Sequence, residues 1–415
     1  MPADQNQASR RAAEMAARRS YGKLVAFIAQ RTRDVASSED ALAEAFAAAL
    51  ADWPRSGVPV NPEAWLIAVA RHKATDAARR RRRAADSVPH LQLLAEEAAS
   101  GSDPPPIPDH RLALIFACAH PALDSAIRAP LILQTVLGFD AATIASAFLV
   151  APATMSQRLV RAKAKIREAG IPFRVPEQGQ LQERLDPVLE AIYAAFAEGW
   201  SDPAGTETRG RDLAEEAVWL GRLVAELLPE EPEALGLLAL MLFADARRAG
   251  RRGPAGEYVP LAQQDPALWD TRLIDEAEAV LLAASRMGSV GRYQLEAAVQ
   301  SAHVVRRRGA AADWAAIDRL YDALLAMSGS PVVAINRAVA AAEVRGAATG
   351  LAMLDAVAGD TRLRSYQPYW AARAELLARS GDMGGAEKAY QLAIGLEADP
   401  AVRRYLQQRQ EALRR

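Results

Sequence analysis

The chain has 415 residues, a net charge of −1 from 50 Lys and Arg against 51 Asp and Glu, and one cysteine. A single cysteine excludes an internal disulfide and a cysteine-rich zinc site. No stretch approaches the roughly 18 uncharged apolar residues of a membrane span, and the first residues lack a signal core, so a cytoplasmic chain is expected.

Richness in Ala, Leu, Arg and Glu without alternating β-branched runs predicts an all-α protein. The neutral total averages unlike parts. Residues 1–90 hold 15 Lys and Arg against 10 Asp and Glu, and 151–168 hold five against one. Such local asymmetry is the electrostatic footprint of a polyanion partner.

In chain order, residues 1–17 read as a disordered tail. "YGKLVAFIAQRTRD" predicts a short helix with Leu24, Phe27 and Ile28 on one face. "SSEDALAEAFAAALADW" predicts a second, capped by Ser37 or Ser38, with Leu42, Phe46 and Leu50 at steps of four. "PRSGVPVNP", with three prolines and a glycine, reads as a loop whose Asn61 caps a third helix with Pro62 in its first turn.

That third helix closes on five consecutive arginines, Arg79 to Arg83. One or two cations complement the negative end of a helix dipole, whereas five suggest a polyanion. Trp53 and Trp65 flank the loop. Cations that follow a backbone, combined with aromatic faces that take unstacked bases, are the means of binding single-stranded DNA. Each tryptophan taken alone reads first as a core residue.

Residues 87–109, with "AASGSDPPPIPD", read as a flexible linker. A second block, Arg111 to Glu168, closes on "DAATIASAFLVAPATMSQRLVRAKAKIRE". One helix carries Ile144 and Phe148, a turn follows at Leu149–Ala151, and another helix begins near Pro152: a helix-turn-helix outline. Leu159 and Ile166 face its core. Thr154, Ser156 and Gln157 are placed to approach base edges, Arg158 and Arg161 bases or phosphates, and Lys163, Lys165 and Arg167 the phosphate backbone.

The remaining chain predicts helix pairs separated by Gly, Pro and Asp. In "YWAARAELLARSGDMGGAEKAYQLAIGLEADP", Trp370, Gly381, Ala386, Tyr390 and Ala393 fall at tetratricopeptide-like offsets, while earlier units are degenerate. "YAAFAEGWSDPAG", residues 193–205, reads as a helix end with Gly199 as C-cap and Trp200 packed against it. The five histidines are scattered, and "GRRGPAGEY" lacks the lysine and spacing of a phosphate loop. No enzyme activity, cofactor or metal is expected.

The segment from "SSEDALAEAF" to "HKATDAARR" resembles region 2 of extracytoplasmic-function RNA polymerase sigma factors. "LALIFACAHPALDSAIRAPLILQTVLGFDAATIASAFLVAPATMSQRLVRAKAKIRE" resembles sigma region 4. "FACAHPAL" and the long helical extension are similar to the subgroup with a tetratricopeptide-like C-terminal domain. The resemblance implies an all-α chain: a region 2-like domain over 18–86, the linker over 87–109, a region 4-like domain over 110–169, and a tetratricopeptide-like domain over 170–415.

It further implies core RNA polymerase as partner, met at the β′ clamp helices and the β flap, with Asp40, Glu44 and Phe46 at the clamp. Ala43 stands where such factors often have Gln. Promoter DNA is the second implied partner. Asn61, Trp65, Arg71, Lys73, Arg79 and Arg80 would hold the −10 element, with His72 where Asn or Arg is common. Thr154, Ser156, Gln157, Arg158, Arg161 and Lys163 would read the −35 element. The C-terminal module would be regulatory, with an unidentified protein or peptide ligand and no membrane contact. Two rivals are a helix-turn-helix regulator that never touches core polymerase, and a helical-repeat scaffold with incidental basic patches; neither accounts for residues 37–85.

Overall fold

The computed structural model describes residues 2–82, 109–147, 150–200 and 208–414. Arg83, most of the expected linker, Phe148 and Leu149 lie outside them. Among the described residues the fold is all-α, with no strand and no helix long and apolar enough to cross a membrane. Two compact units emerge, Met1–Ala195 and Phe196–Arg415.

The first unit begins with α1 (Pro2–Thr32), α2 (Val35–Ser56) and α3 (Pro62–Arg82), each packed on the other two. The tail expected over 1–17 is instead helical from Pro2, and its Ala13 and Ala16 are buried. The reason is compositional: this stretch is rich in Ala and Arg, both strong helix formers.

The cap of α2 also differs from the expectation. Asp34, not Ser37 or Ser38, accepts the Ser37 backbone N–H at 3.1 Å and the Ser37 hydroxyl at 2.6 Å. The expected stripe of Leu42, Phe46 and Leu50 holds only at its start, since Leu50 is 48 % exposed. Steps of four drift by about 40° each around a helix of 3.6 residues per turn. The buried face is therefore Leu42, Ala45, Ala49 and Trp53, where a step of three precedes two steps of four.

Helix α2 runs through Pro54 and stops at Gly57, whose φ of 89° no side chain favours and whose N–H closes on the Trp53 carbonyl at 2.9 Å. The loop is thus shorter than "PRSGVPVNP" implied. Asn61 caps α3 as expected, its side chain accepting the Ala64 N–H at 3.0 Å.

The unit continues with α4 (Arg111–Cys118), α5 (Ser125–Leu137), α6 (Ala141–Ala147), α7 (Pro152–Glu168) and α8 (Gln178–Trp200), the unit boundary falling inside α8. Helix α8 passes through Gly199, so the C-cap expected there is not formed. Helices α4 and α5 pack on α1, and α7 packs on both α5 and α2. One continuous body therefore contains all the basic segments singled out from the sequence.

The second unit is built from α9 (Thr208–Leu227), α10 (Pro232–Ala246), α11 (Thr271–Ser285), α12 (Arg292–Val304), α13 (Trp314–Ser328), α14 (Pro331–Arg345), α15 (Ala347–Val357), α16 (Gln367–Ser380), α17 (Met383–Leu396) and α18 (Pro400–Ala412). Successive helices pack on each other along most of this run. Gly291 offers no side-chain cap to α12, and Glu233 of α10 supplies one, accepting the Tyr293 and Gln294 N–H groups at 2.9 and 3.1 Å. In the last pair, Tyr390 is buried among Ala374, Ala389 and Ala393 and donates to Glu375 at 2.9 Å.

Trp53 is the largest fully buried side chain among the described residues. Trp53→Ala should lower stability by about 3–5 kcal/mol through lost burial and the cavity left behind. Urea unfolding followed by circular dichroism checks this, and a shift below about 1 kcal/mol would show that the site collapses around the gap.

Candidate nucleic-acid and polymerase interface

Helix α2 presents Asp40 and Glu44 one turn apart on its outer face, both exposed, with Phe46 half-buried beside them. Lys73 of α3 lies 3.4 Å from Glu44. The structure therefore brings an expected polymerase contact and an expected −10 contact into one ion pair. At this exposure such a pair stabilises by only about 0.2–1 kcal/mol, so either partner can be surrendered to a ligand.

Asn61 and Arg71 are exposed on the loop and α3. Arg79 and Arg80 fall on the final turns of the α3 backbone, and their side chains lie outside the described residues. Trp65 requires a correction. It is 8 % exposed and meets Trp53 edge to face, with ring centroids 5.5 Å apart. An edge-to-face pair is a favourable ring geometry, and in the core it leaves neither ring as a stacking platform for a base in this arrangement.

Helices α6 and α7 lie where the spacing suggested and pack on each other. Asp140 caps α6, accepting the Ala142 and Thr143 N–H groups at 2.9 Å each. Pro152 opens α7, and Met155, Leu159, Ala162 and Ile166 bury one stripe of it. This rotation leaves Thr154, Ser156, Gln157, Arg158, Arg161 and Lys165 exposed together. Polar, short side chains stand at the N-terminal end and cations toward the C-terminal end. Duplex recognition uses that order: bases first, phosphates behind.

Lys163 departs from the expectation. Its ammonium lies 2.5 Å from Glu39 of α2, and the two side chains are 11 % and 15 % exposed. Burial pushes the Glu39 carboxyl above the usual carboxylate range, while the adjacent ammonium pulls it back. One helical turn further along α7, Arg167 faces Asp34 at 3.6 Å. Glu39 and Asp34 carried no sequence signal for this pairing, because only the fold brings residues over 120 positions apart together.

Beneath the helix-turn-helix, "FACAHPAL" forms the end of α4 and the turn after it. Phe116 and Cys118 are fully buried, and the His120 ring accepts the Ala122 N–H at 3.1 Å. Burial pushes the Cys118 thiol up to about 12, with Thr135 3.4 Å away. No group of three or more His, Cys, Asp or Glu able to hold a metal occurs among the described residues.

Residues 17–84 match sigma-70 region 2. Residues 184–285 match a family of unknown function, DUF6596. An uncharacterized protein of Rhizobium meliloti (strain 1021) is 39% identical over 380 residues, covering 90% of this chain and 89% of that protein. No solved structure matches the chain. The three-helix body of α1 to α3, with an acidic outer face and a basic third helix, is the part of the chain that matches region 2, and that match supports a sigma-70-family factor. The chain belongs to the same family as the Rhizobium protein.

A buried thiol with so high a pKa is inert, since the thiolate is the nucleophile. The native chain should therefore leave Cys118 unmodified by a disulfide reagent over minutes at pH 8 and release one equivalent on denaturation; rapid native labelling would contradict the burial of α4.

Proposed function

We propose that the chain is an extracytoplasmic-function sigma factor that recruits core RNA polymerase to promoters, reads −35 and −10 elements and promotes strand opening. The single observation that carries this reading is the co-occurrence, in one unit, of a region 2 match over residues 17–84 and the packed helices α6 and α7, the second with an exposed polar and basic face. Asp40, Glu44 and Phe46 make the clamp contact. Asn61, Arg71, Lys73, Arg79 and Arg80 hold the −10 strand. Thr154, Ser156, Gln157, Arg158 and Arg161 read the −35 duplex, with Lys163 joining them when it leaves Glu39. The work is energetic, not covalent: unstacked bases and phosphates are bound, and nucleotidyl transfer belongs to the polymerase.

In this reading the domains are the region 2-like part over 18–86, the linker over 87–109, the region 4-like part over 110–169 and a tetratricopeptide-like part over 170–415. The helix pairs α14–α15 and α16–α17 support a repeat architecture, which offers a surface for a peptide or protein ligand. That module acts as a regulator carried in the same chain, and the protein works in the cytoplasm.

Size-exclusion co-elution with bacterial core polymerase tests the reading. Glu44→Arg should weaken binding at least tenfold by placing a cation on the acidic face; unchanged affinity would remove α2 from the interface. Arg158→Ala should relax preference at one or two −35 positions, with about 1–3 kcal/mol lost on the preferred sequence. A loss equal across all sequences would make Arg158 a phosphate contact instead.

A further inference from the structure

The longest connection between described helices of the second unit runs from Arg247 to Asp270, linking α10 to α11 with only three short 3-10 turns on the way. Connections of a few residues are the rule in packed helical domains. This strap contains "GRRGPAGEY", the glycine-rich stretch that lacks the form of a phosphate loop. It is tied to elements far along the chain. Arg252 pairs with Asp399, just before α18, and Tyr258 meets Tyr405 edge to face with centroids 5.5 Å apart. The Arg306 guanidinium donates to the Leu261 and Gln264 carbonyls at 2.6 and 3.1 Å.

Two cations at the base of the strap are met only by neutral groups. Arg247 is buried, and its guanidinium donates to the Phe243 carbonyl at 3.2 Å and to the Gln300 side-chain oxygen. Arg306 lies 5.6 Å from the centre of the Trp269 ring and otherwise meets backbone carbonyls. Among the described residues neither pairs with a carboxylate, although a buried charge ordinarily requires one. Burial and the neighbouring Arg251 pull the Arg247 guanidinium down to about 10, and burial together with Arg247 and Arg306 pulls the His303 imidazole down to about 4. The place therefore carries an unbalanced positive field.

Two further groups there are unpaired. Trp269 and Gln264 are 4 % and 6 % exposed, yet Trp269 Nε1 and Gln264 Oε1 have no hydrogen-bond partner among the described residues. Gln264 donates to the Val259 carbonyl through Nε2 at 3.3 Å, which leaves its oxygen as the unmet end. Both unmet atoms lie beside Gly250, where a Cβ would stand 3.1 Å from Nε1 and 3.5 Å from Oε1. Native interiors rarely leave such atoms unpaired. An unmet donor, an unmet acceptor and two uncompensated guanidiniums define the missing partner. It has two negative charges, oxygens that accept, and an O–H that donates.

We propose that the strap closes over a site for inorganic phosphate, bound as the hydrogen-phosphate dianion: Trp269 Nε1 and the Arg247 guanidinium donate to its oxygens, Arg306 balances its second charge, and Gln264 Oε1 accepts a hydrogen bond from its P–OH. Sulfate matches the shape and charge but has no proton at neutral pH, so it sets an oxygen against Gln264. A phosphomonoester dianion fails in the same way. The exposed tip of the strap, Pro254 to Glu257, lifts to admit the ion. A bound ion ties α10, α12 and the strap together and stabilises the second unit by mass action. The site belongs wholly to the second unit and is independent of the sigma-factor reading.

Isothermal titration calorimetry of the full chain with inorganic phosphate, at neutral pH and constant ionic strength, tests the site. Phosphate should bind saturably at one ion per chain, with sulfate and glycerol phosphate weaker by about tenfold or more, because each leaves the buried acceptor unmet. Trp269→Phe removes the indole N–H and keeps a ring under Arg306, while Gly250→Ala sets a methyl group against the indole nitrogen. Each should weaken phosphate binding by about tenfold or more with the circular dichroism spectrum unchanged. Absence of saturable binding, sulfate bound as tightly as phosphate, or unchanged binding in either folded variant would overturn the site. Equal rises in the unfolding temperature with phosphate and sulfate would also do so, leaving water beside Gly250 and only the general stabilisation by excluded salts.

Discussion

Helix α2 is the constraint on which the rest of the first unit depends. Its inner stripe, Leu42, Ala45, Ala49 and Trp53, must be covered by α1 and α3 to remove apolar surface from water. That requirement fixes how the helix is rotated, and the rotation decides which residues face outward. Asp40 and Glu44 point to solvent because Leu42 and Ala45 do not. The N-terminal turn of the same helix then faces α7, where Asp34 serves at once as cap and as partner of Arg167.

The charges follow a single logic. Three carboxylates of α2 and its cap each meet a cation from a segment assigned to DNA: Asp34 meets Arg167, Glu39 meets Lys163, and Glu44 meets Lys73. Their burial differs and so does their consequence. The Glu44–Lys73 pair is exposed and easily exchanged for a ligand. Lys163 and Glu39 are nearly dry, and removing one alone strands the other's charge in a place water barely reaches. Surface pairs of this kind tune affinity, whereas a buried pair between two helix groups ties their arrangement together.

Much of this architecture was legible from residue patterns. The all-α class, the Asn61 cap, the start of α7 at Pro152 and the buried positions Leu159 and Ile166 follow from local rules of propensity, capping and periodicity, which act over a few residues. What was not legible has a common cause. Trp65 was assigned to DNA because it neighbours a basic loop, but Trp53, brought beside it by the α2–α3 packing, places it in the core. Lys163 shares the polar side of its helix with free cations, and only contact with α2 distinguishes it. Gly22 sits inside a helix, and the close approach it permits becomes visible only with α5 in place. Long-range partners leave no trace in spacing.

The central claim is that this chain directs polymerase to promoters. The most direct measurement is run-off transcription by bacterial core polymerase, with and without the purified full-length chain, on a pool of genomic duplex fragments. The account predicts chain-dependent transcripts that start at defined sites sharing two upstream sequence elements. Transcription that is unchanged by the folded chain, or that starts without shared upstream elements, would contradict it.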